Sequence, residues 1–229
     1  DPEYCTTPEA PAMASMQLFS YADQLAEDHR KHPQDDLTTT LLNAEIDGEH
    51  LRHDQFQAFV MLLAVAGNET TRNLISGAMH AFFQNPDQWQ RLLREPTLID
   101  SAVEEMLRYI SPVMHFKRTP QQDVEIRGQK IREGERIIIW YIAANRDEEV
   151  FEQGDKFDIG RHPNDHLALG IGPHFCLGNH LARMEIKIMF QEILRRLPDI
   201  RQAGPVQRLR SNFINGVKHL PVEFTPERR

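Results

Sequence analysis

A mainly α-helical protein with small β-sheets is the fold class this sequence predicts, and three observations carry that expectation. Helical periodicity and helix punctuation dominate residues 13–112. Short β-branched runs broken by Gly128 and Gly134 follow from Phe116. An amphipathic stretch then returns over Leu177–Arg196, with Leu181, Met184, Ile188 and Ile193 on one stripe. At 229 residues the chain is one large domain or two small ones, and 40% hydrophobic content is enough for a core, which excludes wholesale disorder. Twenty-six basic against 34 acidic side chains give a net charge of −8, which argues against a nucleic-acid binder or an anionic-membrane protein. No apolar run approaches the ~18–20 residues that span a bilayer. The chain opens Asp1-Pro2-Glu3-Tyr4, with no signal-peptide pattern and no initiator methionine, and reads as trimmed at the front. Two cysteines, Cys5 and Cys176, are too few for a disulfide framework, and the composition predicts a soluble, cytoplasmic protein.

In order, residues 1–12 hold Pro2, Pro8 and Pro11 and read as a loop. Met16, Phe19, Leu25 and Ala26 place a helix over 13–32, before Pro33. A short helix is expected near Asp36–Ala44, then a turn at Asp47-Gly48. A long helix follows over 54–84, roughly 45 Å at 1.5 Å per residue. Its middle, Ala58–Gly67, is apolar on every side, so it is expected to be covered by protein all round. Helices near 87–94 and 96–109 come next, the second stopped by Ser111-Pro112. Residues 113–175 form small sheets (116–119, 124–126, 136–141) and then an aperiodic stretch rich in Gly and Pro. The last helix, 177–196, is followed by strand and turn to Phe224. There is no internal repeat.

Three segments could carry chemistry. In Leu169-Gly170-Ile171-Gly172-Pro173-His174-Phe175-Cys176-Leu177-Gly178, a cysteine closes a glycine-rich loop ahead of a helix. Unpaired amides there favour a thiolate, and Gly170, Gly172 and Gly178 let a flat ligand approach the backbone. Taken alone, such a cysteine is more often a buried small hydrophobe. In Ala66-Gly67-Asn68-Glu69-Thr70-Thr71, an acid and hydroxyls interrupt the apolar helix. A threonine bonding one turn back would kink it, and Gly67 leaves room beside a proton donor. Taken alone, that pattern reads first as a helix kink with a structurally satisfied threonine. In Glu104-Glu105-Met106-Leu107-Arg108, Glu105 and Arg108 stand at i, i+3, a spacing that usually marks solvated surface pairs.

Together and in this order, the segments resemble a cytochrome P-450, a haem-thiolate monooxygenase. That family's loop reads F-G-x-G-x-H-x-C-x-G, and residues 169–178 match it except at Leu169, where phenylalanine is usual. Residues 66–71 meet A-G-x-D/E-T-T in full, Glu105 and Arg108 meet E-x-x-R, and Arg161 in Phe157-Asp158-Ile159-Gly160-Arg161 matches its usual partner. The resemblance implies the C-terminal part of the P-450 fold, with a meander and cysteine loop ending at 175 and a proximal helix and terminal hairpin over 176–229. It implies haem b (iron protoporphyrin IX) with Cys176 as axial thiolate, and Gly170, Phe175 and Gly178 in the loop beneath it. Glu69 and Thr70 become an acid–alcohol pair relaying protons through water to dioxygen. Ala66 and Gly67 flank that oxygen pocket, and His174 and Arg118 bind the haem propionates. Glu105, Arg108 and Arg161 become a structural triad. Val113, Met114, Phe213 and Ile214 line the substrate pocket.

Residues 64–73 and 208–221 are further similar to bacterial enzymes that oxidise sterol side chains and methyl-branched lipids, with terpenoid and alkane oxidisers also similar in the tail. The expected partners are an apolar small molecule and a ferredoxin with its NAD(P)H-dependent reductase. No flavin or iron–sulfur motif stands in the sequence to supply electrons internally. Arg183 and Lys187 are candidate docking cations. The chain begins where the family's second half begins, which predicts a companion chain or missing segment for the N-terminal half. Two other functions compete. A non-catalytic haem-binding subunit of a split enzyme would need Cys176 but not Glu69 or Thr70. Isomerase or peroxygenase chemistry would need neither a proton relay nor a redox partner.

Overall fold

The computed structural model describes residues 1–226 and divides into two compact units, Asp1–Asn68 and the chain from Glu69 on. Small antiparallel two-stranded sheets accompany the helices, and among the described residues no helix is long and apolar enough to cross a membrane.

In the first unit, α1 (Ala10–Lys31) starts ahead of the expected 13 because Pro11 sits in its first turn, where no backbone donor is needed. Helix α2 (Leu37–Asn43) is capped by Asp36, whose carboxylate accepts from the Thr39 amide at 2.8 Å. The same carboxylate meets buried His29, Nε2 to Oδ2 at 2.8 Å, while Nδ1 reaches the Leu25 carbonyl at 2.9 Å. Strands β1 (Glu45–Ile46) and β2 (Glu49–His50) turn through Asp47 and Gly48, both at positive φ. Ala22, Ala26 and Phe56 form the unit's small core.

Helix α3 (His53–Gln84) matches the expected span. Its apolar middle does not match the expected burial. Leu62 is 57% and Val65 61% exposed, whereas the last turns of the helix bury Leu74, Ala78 and Phe82. Apolarity on all sides is a demand for cover, and the described residues bury Phe56 near the start of the helix and its last turns but leave Leu62 and Val65 in its middle exposed.

The second unit is centred on that end. Phe82 sits edge-on to Phe157 at 5.1 Å and to Trp89 at 5.3 Å. Around it pack α4 (Pro86–Arg94), α5 (Ile99–Ile110) and α7 (Asn179–Arg196) through Leu92, Met106, Ile186 and Phe190. A single 3₁₀ turn, Pro96–Leu98, leads into α5, which ends at Ser111 in the left-handed region (φ 45°) just before Pro112. Strand β3 (His115–Arg118) pairs with β6 (Ile137–Trp140), bringing His115 opposite Trp140. Between them, β4 (Val124–Ile126) pairs with β5 (Gln129–Ile131), which periodicity missed. Its Gln-Lys-Ile sequence has little strand character, and the Arg127-Gly128 turn, both at positive φ, imposes the pairing. A short helix α6 (Tyr141–Ala144) follows β6. The meander makes close approaches: a Cβ at Gly154 would lie 2.5 Å from the Arg146 carbonyl oxygen. At the end, β7 (Arg201–Gln202) pairs with β10 (Val222–Glu223), and β8 (Gln207–Arg208) with β9 (Val217–His219).

Candidate functional site

The cysteine loop is built by backbone hydrogen bonds. Gly170 and Gly172 adopt φ of 76° and 74°, values that favour glycine, and let the chain double back. The Cys176 amide then donates to the Leu169 carbonyl at 2.9 Å, and the 3₁₀ turn Gly172–His174 is closed by Phe175 N–H to Gly172 O. Helix α7 starts at Asn179 instead of 177. The Asn179 side chain, donating to the Cys176 carbonyl at 3.0 Å, holds Cys176 just outside the first turn. The amides of Leu177 and Gly178 find no acceptor among the described residues, so they are available to an anion beside the half-buried thiol. Phe175 and Leu177 flank it with 46% and 76% exposure, and a Cβ at Gly172 or Gly178 would meet nothing within 4 Å. The loop thus offers one sulfur donor and an open, apolar, close-approach surface.

A second constellation, an ionic hub around fully buried Glu105 and Arg108, stands on α5. Glu105 accepts from Arg108 through Nε at 2.7 Å and Nη2 at 2.8 Å, from the Asp158 amide at 2.9 Å, and from Asn164 at 3.2 Å. Arg161 closes on the same carboxylate at 3.3 Å. Arg108 spends its remaining donors on the carbonyls of Asn145, Gly154 and Lys156. Side-chain exposure of Glu105 and Arg108 is zero, so this is no solvated surface pair. A buried charge pair is tolerable only when each lone pair and proton is matched, as here. Helix α5 is thereby tied to the meander that leads into the cysteine loop.

On α3, Ala66, Gly67, Glu69 and Thr70 share two helical turns. Gly67 has open space where a side chain would stand. Glu69 is half exposed and accepts from Arg72 at 2.7 Å and Asn73 at 3.1 Å, and Asn73 in turn accepts from the Val217 amide at 3.2 Å. Arg118 is half-buried on β3, and His174 is exposed on the 3₁₀ turn. No hydrogen bond or ion pair joins either to Cys176 among the described residues. The backbone brings Val113, Met114, Phe213 and Ile214 together: Val113 bridges Ile214, and the Met114 amide donates to the Phe213 carbonyl at 2.9 Å. Beside them His115, Phe116, Trp140 and Phe213 form an aromatic wall, with His115–Trp140 at 4.6 Å and Phe116–Phe213 at 5.6 Å. Trp140 was silent in the sequence because only the β3–β6 register reveals its partner.

The two candidate docking cations are both paired with carboxylates. Arg183 forks onto Glu104 at 2.7 and 2.9 Å, and Lys187 holds Asp100 at 2.6 Å, so carboxylates of α5 already neutralise both. Burial alone would raise the Glu104 pKa, but hydrogen bonds from Arg183 and His166 outweigh it and hold it at about 2.

The donor set fits a haem better than a bare ion. Among the described residues no cluster of three His, Cys, Asp or Glu could hold a metal, whereas one thiolate suits an axial position on a porphyrin. The sequence profile described as Cytochrome P450 matches residues 4–198. The chain belongs to the cytochrome P450 family. This P450 chain is 46% identical over 226 residues to a steroid C26-monooxygenase of Mycolicibacterium smegmatis, covering 98% of the chain and 52% of that relative. It is 44% identical to a methyl-branched lipid omega-hydroxylase of Mycobacterium bovis, covering 98% and 53%. Among solved structures, a Mycobacterium marinum cytochrome P450 in complex with pseudoionone superposes with a TM-score of 0.93 at 41% identity, covering 98% of this chain and 55% of that one. The chain therefore spans about half the length of the curated relatives it matches.

Proposed function

We propose that the protein is a haem-thiolate monooxygenase acting on an apolar substrate, a steroid side chain or a methyl-branched lipid. One oxygen atom of O₂ enters a C–H bond and the other leaves as water, with two electrons supplied by a ferredoxin and its NAD(P)H-dependent reductase. The observation that carries this is the cysteine loop: a single half-buried sulfur, two unspent amides after it, and an exposed apolar rim. The relatives' names support the substrate class, and the aromatic wall at His115, Phe116, Trp140 and Phe213 is chemically suited to it.

When bound, haem b supplies the redox-active iron for dioxygen activation. Cys176 would hold it as the thiolate ligand, and the Leu177 and Gly178 amides, which have no acceptor among the described residues, would be available to restrain the sulfur's negative charge. His174 and Arg118 would supply donors for the propionates, while Phe175 and the loop glycines would leave the apolar, close-approach surface that the haem needs. Gly67 on α3 has open space where a side chain would stand, as the oxygen-pocket role proposed for Ala66 and Gly67 requires. Glu69, half exposed, can take a proton from solvent, and the Thr70 hydroxyl passes it on through water. Val113, Met114, Phe213 and Ile214 exclude water from the reacting C–H bond. The Glu105–Arg108–Arg161 hub keeps the loop in place without touching substrate.

The test is the optical spectrum of the reduced, CO-treated protein. The strongly red-shifted Soret band of thiolate ligation is expected, and Cys176→Ser should abolish it. Retention of that band without the sulfur would overturn the assignment.

A further inference from the structure

Glu104 precedes the hub residue Glu105 on α5, and consecutive helical residues point about 100° apart. While Glu105 turns to the meander, Glu104 faces α7, and its carboxylate starts a closed circuit. Oε1 and Oε2 accept from Arg183, whose Nη1 donates to the Asn179 side-chain oxygen at 3.1 Å. Asn179 donates to the Cys176 carbonyl at 3.0 Å. The Cys176 amide donates to Leu169 O at 2.9 Å. One residue upstream, the Ala168 amide donates into His166 Nδ1 at 3.3 Å, which leaves the proton on Nε2 to bond back to Glu104 Oε2 at 3.1 Å. His166 is buried to 3% side-chain exposure.

We infer that Glu104 is a positioning residue for the thiolate: through Arg183–Asn179 on one side, and on the other through His166–Ala168 and the adjoining Leu169 carbonyl, it grips the Cys176 backbone from both directions. The inference rests on the haem-thiolate reading of the same loop and assigns Glu104 a duty separate from that of Glu105. The hub fastens the meander, whereas this ring fastens the two peptide groups of the cysteine itself. The bonds made by Glu104 and Arg183 are charge-assisted and roughly twice as strong as the neutral ones that complete the circuit, and together they restrict the sulfur's direction as well as its depth. Another salt bridge between the same two helices, Lys187–Asp100, makes no hydrogen bond to the loop among the described residues and supplies the control.

The experiment compares unsubstituted protein, Glu104→Gln, Asn179→Ala and Asp100→Asn, each purified with haem. Hydrogen exchange of the peptide covering 167–179 is read together with the reduced CO spectrum. Glu104→Gln should speed exchange at the Cys176 amide roughly ten- to hundredfold, the range for losing charged hydrogen bonds. It should also move part of the red-shifted Soret band to shorter wavelength. Asn179→Ala, which leaves every buried charge in place, should do the same more weakly. Asp100→Asn should change neither. Unaltered exchange in Glu104→Gln and Asn179→Ala, or equal acceleration in Asp100→Asn, reduces Glu104 to an ordinary staple between helices and overturns the inference. An unsubstituted protein without the red-shifted band overturns the haem-thiolate reading and the positioning role together, and the exchange data then report separately whether the ring exists.

Discussion

Arg108→Lys is the most demanding perturbation of the hub, because it keeps the charge and removes only the fork. The guanidinium makes two bonds to Glu105 and three to carbonyls of Asn145, Gly154 and Lys156, all within a site of zero side-chain exposure. An ammonium has three donors on one atom and cannot span acceptors on opposite sides. At least two buried acceptors therefore lose their partners, at about 1–3 kcal/mol each. Loss of stacking on the Phe151 ring, 5.3 Å away, adds to this. The total is about 2–6 kcal/mol. For a domain of this size that corresponds to a drop in Tm of roughly 4–24 °C. The assay is denaturant and thermal unfolding of the purified protein, with Arg127→Lys as control. Arg127 forks onto Glu149 in the same way but at 75% exposure, and its replacement should leave unfolding almost unchanged. Equal losses in the two variants would refute the claim that matched burial, not pairing as such, gives the hub its strength.

Thr70→Ala should leave binding of an apolar ligand nearly intact but uncouple oxygen consumption from product formation; unchanged coupling would remove Thr70 from the proton relay. Gly154→Ala should destabilise by about 1–3 kcal/mol in chemical unfolding, because the new Cβ meets a backbone carbonyl that cannot swing aside. The pairing with Asp36 outweighs burial and raises the His29 pKa, so this contact is fully present below the unfolded value of about 6.5 and is lost as pH rises through the raised value. Asp36 is held below the ordinary carboxylate range by the Thr39 amide and by His29, so its contribution is lost as pH falls through that lowered value. Proteolysis of the α1–α2 connection, residues 32–36, should accordingly be slowest between these limits, and His29→Gln should flatten its alkaline limb.

Periodicity and punctuation located α3 and α5 because proline, glycine and apolar spacing act within a few residues. They failed at β5, whose pairing comes from a turn, and at the starts of α1 and α7. At those starts, a proline compatible with the first turn moved one boundary and a side chain capping Cys176 moved the other. Cys176 stood out through its glycine-rich neighbours. Glu104 and His166 did not, since an acid on a helix and a histidine in a loop carry no local mark of meeting each other.

Residue order along the chain was sufficient to name the helical class, the cysteine loop, the α3 hydroxyl pair and family membership, because each of these is written in contiguous residues. Tertiary structure alone decided that Glu105 and Arg108 are buried instead of solvated, that Arg183 and Lys187 are already neutralised, and that Trp140 stands beside His115. These are questions of which distant group occupies the last few ångströms around a charge or a ring. Desolvation and hydrogen-bond matching are properties of that neighbourhood, which no stretch of sequence contains.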